Sequence, residues 1–234
     1  MKAKVNRRLL NTTTFDSGSL GMMAMVIHQF QSPGFYRGVI MKQGRAITDL
    51  EFSVDEKSTE MQLNIDMARA IRNAKAHPED SHCGSEKEVP SIVSQNGYVL
   101  FYASSGSGYS VIVTSVDGKE KFDSTKLTSG DLFSISLLEP TKYSMVNTMG
   151  QGEGEIVVSL TPNMAKKVKN LETSYINVSP KGFDPDCMEL TSSQGLVFRL
   201  TDSARVIIEK KDKVVPRKRM KPVARWEKSH MAKK

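Results

Sequence analysis

"GDLFSISLLEPTKYSMVN", residues 130–147, holds two short runs with period-two alternation. In the first, Phe133 and Ile135 alternate with Ser134 and Ser136; in the second, Tyr143 and Met145 alternate with Ser144. That period belongs to strands with one wet face, and Gly130-Asp131 and Pro140 punctuate the two runs as turns. The same signal extends outward from Gly97. "YVLFYA", "YSVIVTSV", "LFSISLL", "YSMVNTM" and "EIVVSLT" follow one another, separated by "SSGSG", "VDGKE", "TSGD" and "GQGEGE". Five short strands so closely spaced predict a sandwich or barrel, not alternating βαβ units.

Upstream, "MMAMVIHQFQ" (22–31) reads as a strand ended by Ser32-Pro33-Gly34. Residues 35–54 read as a hairpin turning at Lys42-Gln43-Gly44-Arg45. "MQLNID" alternates as a strand, while "NIDMARAIRNAKAH" suits a helix that stops near His77, before Pro78. A polar loop, "PEDSHCGSEKEVPS", leads to the main β region. A short helix is expected at 163–171, then strands in "SYINVSP", "CMELTS", "GLVFRLT" and "ARVIIEK". No short-period repeat stands out. The expected organisation is a basic and polar arm over 1–20, a β-rich globular region over 21–209, with 21–96 and 97–209 as candidate sub-regions, and a basic tail over 210–234. The fold class is mainly β: a jelly-roll-like sandwich or barrel with one or two short helices and extended basic termini.

Charge is unevenly placed. The chain of 234 residues carries a net +7. From Lys210 onward, eleven lysines and arginines face only Asp212 and Glu227, giving +9, and Lys2, Lys4, Arg7 and Arg8 add +4. The intervening residues 9–209 carry −6, so the basic character belongs to the ends. No apolar run approaches the ~18 residues that cross a bilayer. The longest, "LGMMAMVI", has no small-residue cleavage site, so no membrane span and no secretory signal are expected. Two cysteines, Cys83 and Cys187, make no disulfide framework. A reducing, cytoplasmic setting is the expectation.

Residues 97–162 resemble one half of a cupin jelly roll, through "LTSGDLFSI", Pro140, Asn147 and "EIVVSLTP". The resemblance implies a β-barrel shape. The family's metal chemistry does not carry over. Tyr143, or Thr141 in an ungapped alignment, stands where the motif has its histidine, and no histidine occurs between Cys83 and Ser229. "HPEDSHC" gathers His77, Glu79, Asp80, His82 and Cys83, and "FDPDCME" adds Asp184, Asp186, Cys187 and Glu189, but neither has a metal-site spacing. Within "YASSGSGYS" no Gly-Lys-Ser/Thr follows and no helix begins, which leaves a hairpin loop rather than a phosphate cradle. His28, in an apolar strand, reads as a satisfied core or edge histidine. No enzyme signature emerges, and no metal or cofactor is expected.

The tail is the most distinctive segment. Arg217, Lys218, Arg219, Lys221 and Arg225 precede Trp226, the chain's one tryptophan; Arg7 and Arg8 mark the other arm. The expectation is a non-enzymatic structural or accessory subunit whose arms lie on neighbouring proteins of a larger assembly, with Trp226 and Val223 as anchors. A second reading is nucleic-acid contact through the tail, lysine and arginine on phosphates and the indole on a base. The acidic body argues against it. A third is a cupin-like enzyme or small-ligand binder with an atypical site.

Overall fold

The computed structural model describes residues 12–76, 91–160 and 171–211. The helix expected over 163–171, apart from Leu171, the loop holding His77, His82 and Cys83, both arginines of the N-terminal arm and the tail residues from Arg217 to Trp226 lie outside the described residues.

The chain is mainly β, as its alternation requires. Its elements are β1 (Thr14–Asp16), β2 (Ala24–His28), β3 (Gly34–Lys42), β4 (Arg45–Asp55), β5 (Gln62–Asp66), helix α1 (Met67–Ala76), β6 (Ser91–Ser94), β7 (Tyr98–Tyr102), β8 (Tyr109–Ser115), β9 (Lys121–Asp123), β10 (Leu132–Ser136), β11 (Lys142–Asn147), β12 (Glu153–Ser159), β13 (Ser174–Ser179), β14 (Gly182–Asp184), β15 (Cys187–Thr191), β16 (Gly195–Leu200) and β17 (Val206–Lys210). "MQLNID" and the residues after it fulfil both readings in turn, strand β5 and then α1. Asp66 makes the switch: its Oδ1 accepts the amides of Ala68 and Arg69 at 3.0 and 3.2 Å, an N-cap for a helix that buries Met67, Ala68 and Ile71.

The strands form two layers. A seven-stranded sheet runs β14-β13-β16-β10-β2-β7-β5. Over one of its faces lie two five-stranded sheets, β6-β4-β3-β8-β9 and β15-β12-β11-β17-β1. Directly paired residues point to the same face, and Val26 pairs with Phe133, both fully buried. The two smaller sheets therefore lie on the same side of the large one, and the buried side chains join in one core.

The strand orders of the two smaller sheets contain a repeat. Reading β2 through β9 in the first half against β10 through β17, completed by β1, in the second, each neighbour relation recurs. β4·β6 and β12·β15 are both parallel, as are β5·β7 and β13·β16; β3·β4, β3·β8 and β8·β9 are antiparallel, as are β11·β12, β11·β17 and β1·β17. Side chains repeat too. Phe15-Asp16-Ser17 and Leu20 recur 107 residues later as Phe122-Asp123-Ser124 and Leu127, and Pro33 and Tyr36 recur at the same spacing as Pro140 and Tyr143. Ser17 and Ser124, both fully buried, exchange equivalent bonds: each amide donates to the carbonyl of Val206 or Val111, whose amide returns a bond to the serine Oγ. Each tyrosine phenol lies within hydrogen-bond distance of the carbonyl four residues back, Tyr36 of Ser32 and Tyr143 of Glu139. The register places the pseudo-twofold axis between Val26 and Phe133, normal to the large sheet.

The repeats exchange strands. β1 opens the first repeat yet pairs with β17, the last strand of the second; β9 opens the second yet pairs with β8, the last strand of the first. The expected arm over 1–20 is accordingly shorter, because β1 belongs to the fold and Leu20 is fully buried. The internal boundary lies between β8 and β9 and not at residue 97, where β7 joins strands of residues 21–96 in one sheet. Volume is conserved at equivalent crossings with the glycine moved: Gly38 faces Leu50 in the first repeat, and Met145 faces Gly154 in the second.

Candidate interaction surface

Among the described residues, no element packs over the outward face of the seven-stranded sheet. Two rows cross it in register. One runs Asn64–Leu100–Ile27–Leu132–Arg199–Asn177, the other Asp66–Tyr102–Met25–Ser134–Val197–Tyr175. Leu100, Ile27, Leu132, Tyr102, Met25 and Val197 are half-buried, and Tyr98 and Tyr175 beside them are exposed. The only charges in these rows are Asp66, on the edge strand β5, and Arg199, on β16 beside Leu132, whose guanidinium sits 3.9 Å over the Tyr175 ring. A one-sided sheet ordinarily turns polar residues outward; an apolar, charge-depleted centre with a polar rim is the anatomy of a protein interface.

The smaller sheets supply the contrast. On the outer face of the second-repeat sheet, Lys142 and Lys211 both reach Glu155, at 2.9 and 2.7 Å. The equivalent positions of the first repeat are Phe35, Val116 and Glu51. Phe35 and Val116 are 66 and 63% exposed, side by side across β3 and β8, while Glu51 pairs with Arg37 at 3.0 Å. Where the second repeat sets Lys142 and Lys211, the first thus sets Phe35 and Val116, so the fold itself does not require Phe35 to be apolar.

The seam breaks the symmetry a second time. His28 Nδ1 lies 2.5 Å from Asp131 Oδ1, and Asp131, 2% exposed, also accepts the Thr128 amide at 2.6 Å. The equivalent pair across the axis is Ala24 and Ile135, both apolar. The His28 ring stacks on Phe122 and meets Phe30 edge-on, each at 4.4 Å. Its Nε2 faces Glu120 Oε1 at 3.9 Å, beyond hydrogen-bond reach. Glu120 accepts the amides of Gln31 and Ser32, each at 3.0 Å, and lies 2.6 Å from the Tyr36 phenol. Burial alone would raise the Glu120 carboxyl, but the phenol, the two amides and nearby His28 outweigh it and hold it below its ordinary value. Burial first, and then the Glu120 carboxylate, push the Tyr36 phenol well up. This chain of polar groups ties the first repeat to the strand that opens the second.

The cupin-like stretch has a different meaning in this setting. Residues 97–162 straddle the two repeats, with β7 and β8 in the first and β10, β11 and β12 in the second. Tyr143, at the motif's histidine position, is a core side chain 1% exposed. The imidazole near the Gly-Asp turn is His28, brought by β2 from 103 residues upstream. No signal along the sequence linked the two. Asp184, Asp186, Cys187 and Glu189 lie on exposed backbone at β14 and β15. No group of three or more metal-ligating side chains converges among the described residues, and no described helix is long and apolar enough to cross a membrane. A cleft of about 610 Å³ lies between β4, β5 and α1, lined by Asp49, Glu51, Asn64, Arg69, Asn73 and Tyr102 among others. Two of its carboxylates have structural duties, with Glu51 paired to Arg37 and Asp66 capping α1.

No protein-family model, curated protein or solved structure matches this chain.

Proposed function

We propose that the protein is a structural or accessory subunit of a larger protein assembly, docking through the open face of its large sheet and gripping neighbours with its basic arms. The observation that carries this reading is the charge-free apolar centre of that face. A fold that places lysines and glutamates outside its second-repeat sheet keeps them away from the middle of this one. The arms add a second contact of the opposite character. Arg7, Arg8, Arg217, Lys218, Arg219, Lys221, Arg225 and Trp226 suit an acidic protein surface that also offers a pocket for an indole.

The test is recovery of the full chain under native conditions, with co-purifying proteins identified by mass spectrometry. Stable stoichiometric partners are expected, and removing 212–234 weakens their retention. Recovery of the chain free of any protein partner refutes the reading. Recovery with nucleic acid instead, lost steeply as salt rises and abolished by removing 212–234, replaces it with the nucleic-acid reading.

A further inference from the structure

We infer that the open face of the seven-stranded sheet packs against the same face of a second copy of this chain. The inference rests on reading that face as an interaction surface and names its occupant. Three observations select a second copy.

The first is charge. The basic arms find no counter-charge at the centre of the face, where Met25, Ile27, Leu100, Leu132 and Val197 stand. The one cation in those two rows is the Arg199 guanidinium, over the Tyr175 ring, and a phosphate backbone is held by several cations. An uncharged apolar surface is complemented by another of its own kind.

The second is symmetry. The pseudo-twofold axis between Val26 and Phe133 passes through the middle of the face and relates part of its apolar lining, although Ile27 falls on Ser134 and Tyr102 on Arg199. Met25 is matched by Leu132, and Leu100 by Val197, so apolar side chains sit in equivalent places on either side of the seam. A closed dimer uses one patch twice and needs self-complementarity. On a surface already repeated about its own centre, either half of one copy can oppose either half of the other with apolar groups in contact.

The third is area. Seven strands about 4.8 Å apart and about five residues long cover a footprint on the order of 500 Å². Two copies would bury on the order of 1,000 Å², which meets the lower bound for a specific interface and excludes a much larger obligate one. Face-to-face stacking is also the packing the molecule uses inside, where its small sheets lie on the large one.

The experiment is sedimentation equilibrium on the full chain from about 1 to 100 μM, with Leu100→Arg and Ile27→Arg as separate variants. Each residue is half-buried on the outward face, and its substitution leaves the inward core untouched. The wild type is expected to weigh twice the 26.0 kDa of one chain at the upper concentrations. Each variant is expected to raise the dissociation constant at least tenfold, with its unfolding midpoint nearly unchanged. Should an arginine variant fail to fold, Tyr175→Ala at the exposed edge is expected to weaken the dimer several-fold. A wild type that stays monomeric at 100 μM overturns the inference, as does a dimer indifferent to these substitutions. A monomeric wild type whose co-purifying proteins are lost in Leu100→Arg assigns the face to a different protein: the second copy is then wrong while the assembly reading stands.

Discussion

The internal repeat permits a controlled comparison of two buried hydroxyls. Tyr36 and Tyr143 occupy equivalent positions, each is 1% exposed, and each phenol reaches the carbonyl four residues back. Tyr36 alone also lies 2.6 Å from a carboxylate oxygen, that of Glu120. Replacing either tyrosine by phenylalanine keeps the ring and its packing, so the packing contribution cancels between the two variants. Tyr143→Phe loses a neutral bond, worth about 1 kcal/mol; Tyr36→Phe loses a bond to a charged acceptor, worth about 2 kcal/mol. Glu120 retains the amides of Gln31 and Ser32, which keeps the second figure from growing. Urea unfolding at pH 7 measures both. With a slope of about 2.5 kcal/mol/M, the two midpoints separate by about 0.4 M, Tyr36→Phe being the less stable. Equal midpoints, or a larger loss in Tyr143→Phe, would refute the assignment of the Glu120 contact as the stronger bond.

Three further outcomes follow from the same geometry. Glu120 is held below its ordinary value in the folded state, so on acidification the unfolded chain takes up the proton first; the stability it contributes is present above the free-glutamate value of 4.5 and is lost as pH falls through the lower folded value. Glu120→Gln is therefore expected to flatten the fall of the melting temperature below about pH 4.5, and an unchanged acid profile counts against it. Gly154→Ala would drive its methyl group against the Asp186 carbonyl and the Met145 side chain and is expected to cost about 3 kcal/mol. Gly38→Ala, whose nearest neighbours are side-chain atoms of Leu50 and Val113 at 3.0 Å, should cost less, and the reverse order in urea midpoints would contradict the repeat's volume compensation. A circular permutant joining Lys210 to Thr13 through the four residues Val116–Lys119, and opened between β8 and β9, should keep the wild-type circular dichroism, because the Lys210 amide already bonds the Thr13 carbonyl as the Ser115 amide bonds that of Glu120; a molten spectrum would speak against equivalence of the two crossings.

Much of the layered β architecture was legible, for a physical reason: most strands are short and alternate with period two, and many of the turns between them carry Gly, Pro or Asp. The hairpin of β3 and β4 turns at Gln43-Gly44, where both residues take positive φ, as a two-residue hairpin loop requires. The repeat was harder to read. Its signature is spread thinly over "FDSGSL" and "FDSTKL", 107 residues apart, and over two Pro-x-x-Tyr pairs at the same spacing. Between these anchors the halves differ in length, since α1 and the residues after it have no helical counterpart beside β14. Burial also preserves volume rather than identity, as Gly38 with Leu50 and Met145 with Gly154 demonstrate. The open face was invisible because its defining property is two-dimensional. Ile27, Leu100 and Leu132 look like ordinary strand residues until pairing sets them side by side. His28 and Asp131, which meet across a seam of that pairing, were hidden for the same reason.

The exchanged strands set an order of events on the ribosome. The first repeat needs residues no later than β9 to complete its small sheet. It can close while the chain is still growing. The second cannot, because β1, which precedes every other described strand, has no partner until β17 is made. Until then, β1 must wait beside a finished half-molecule. Two repeats with nearly the same strand plan therefore have unequal histories: one assembles from consecutive residues, while the other is sealed by joining the first described strand to the last.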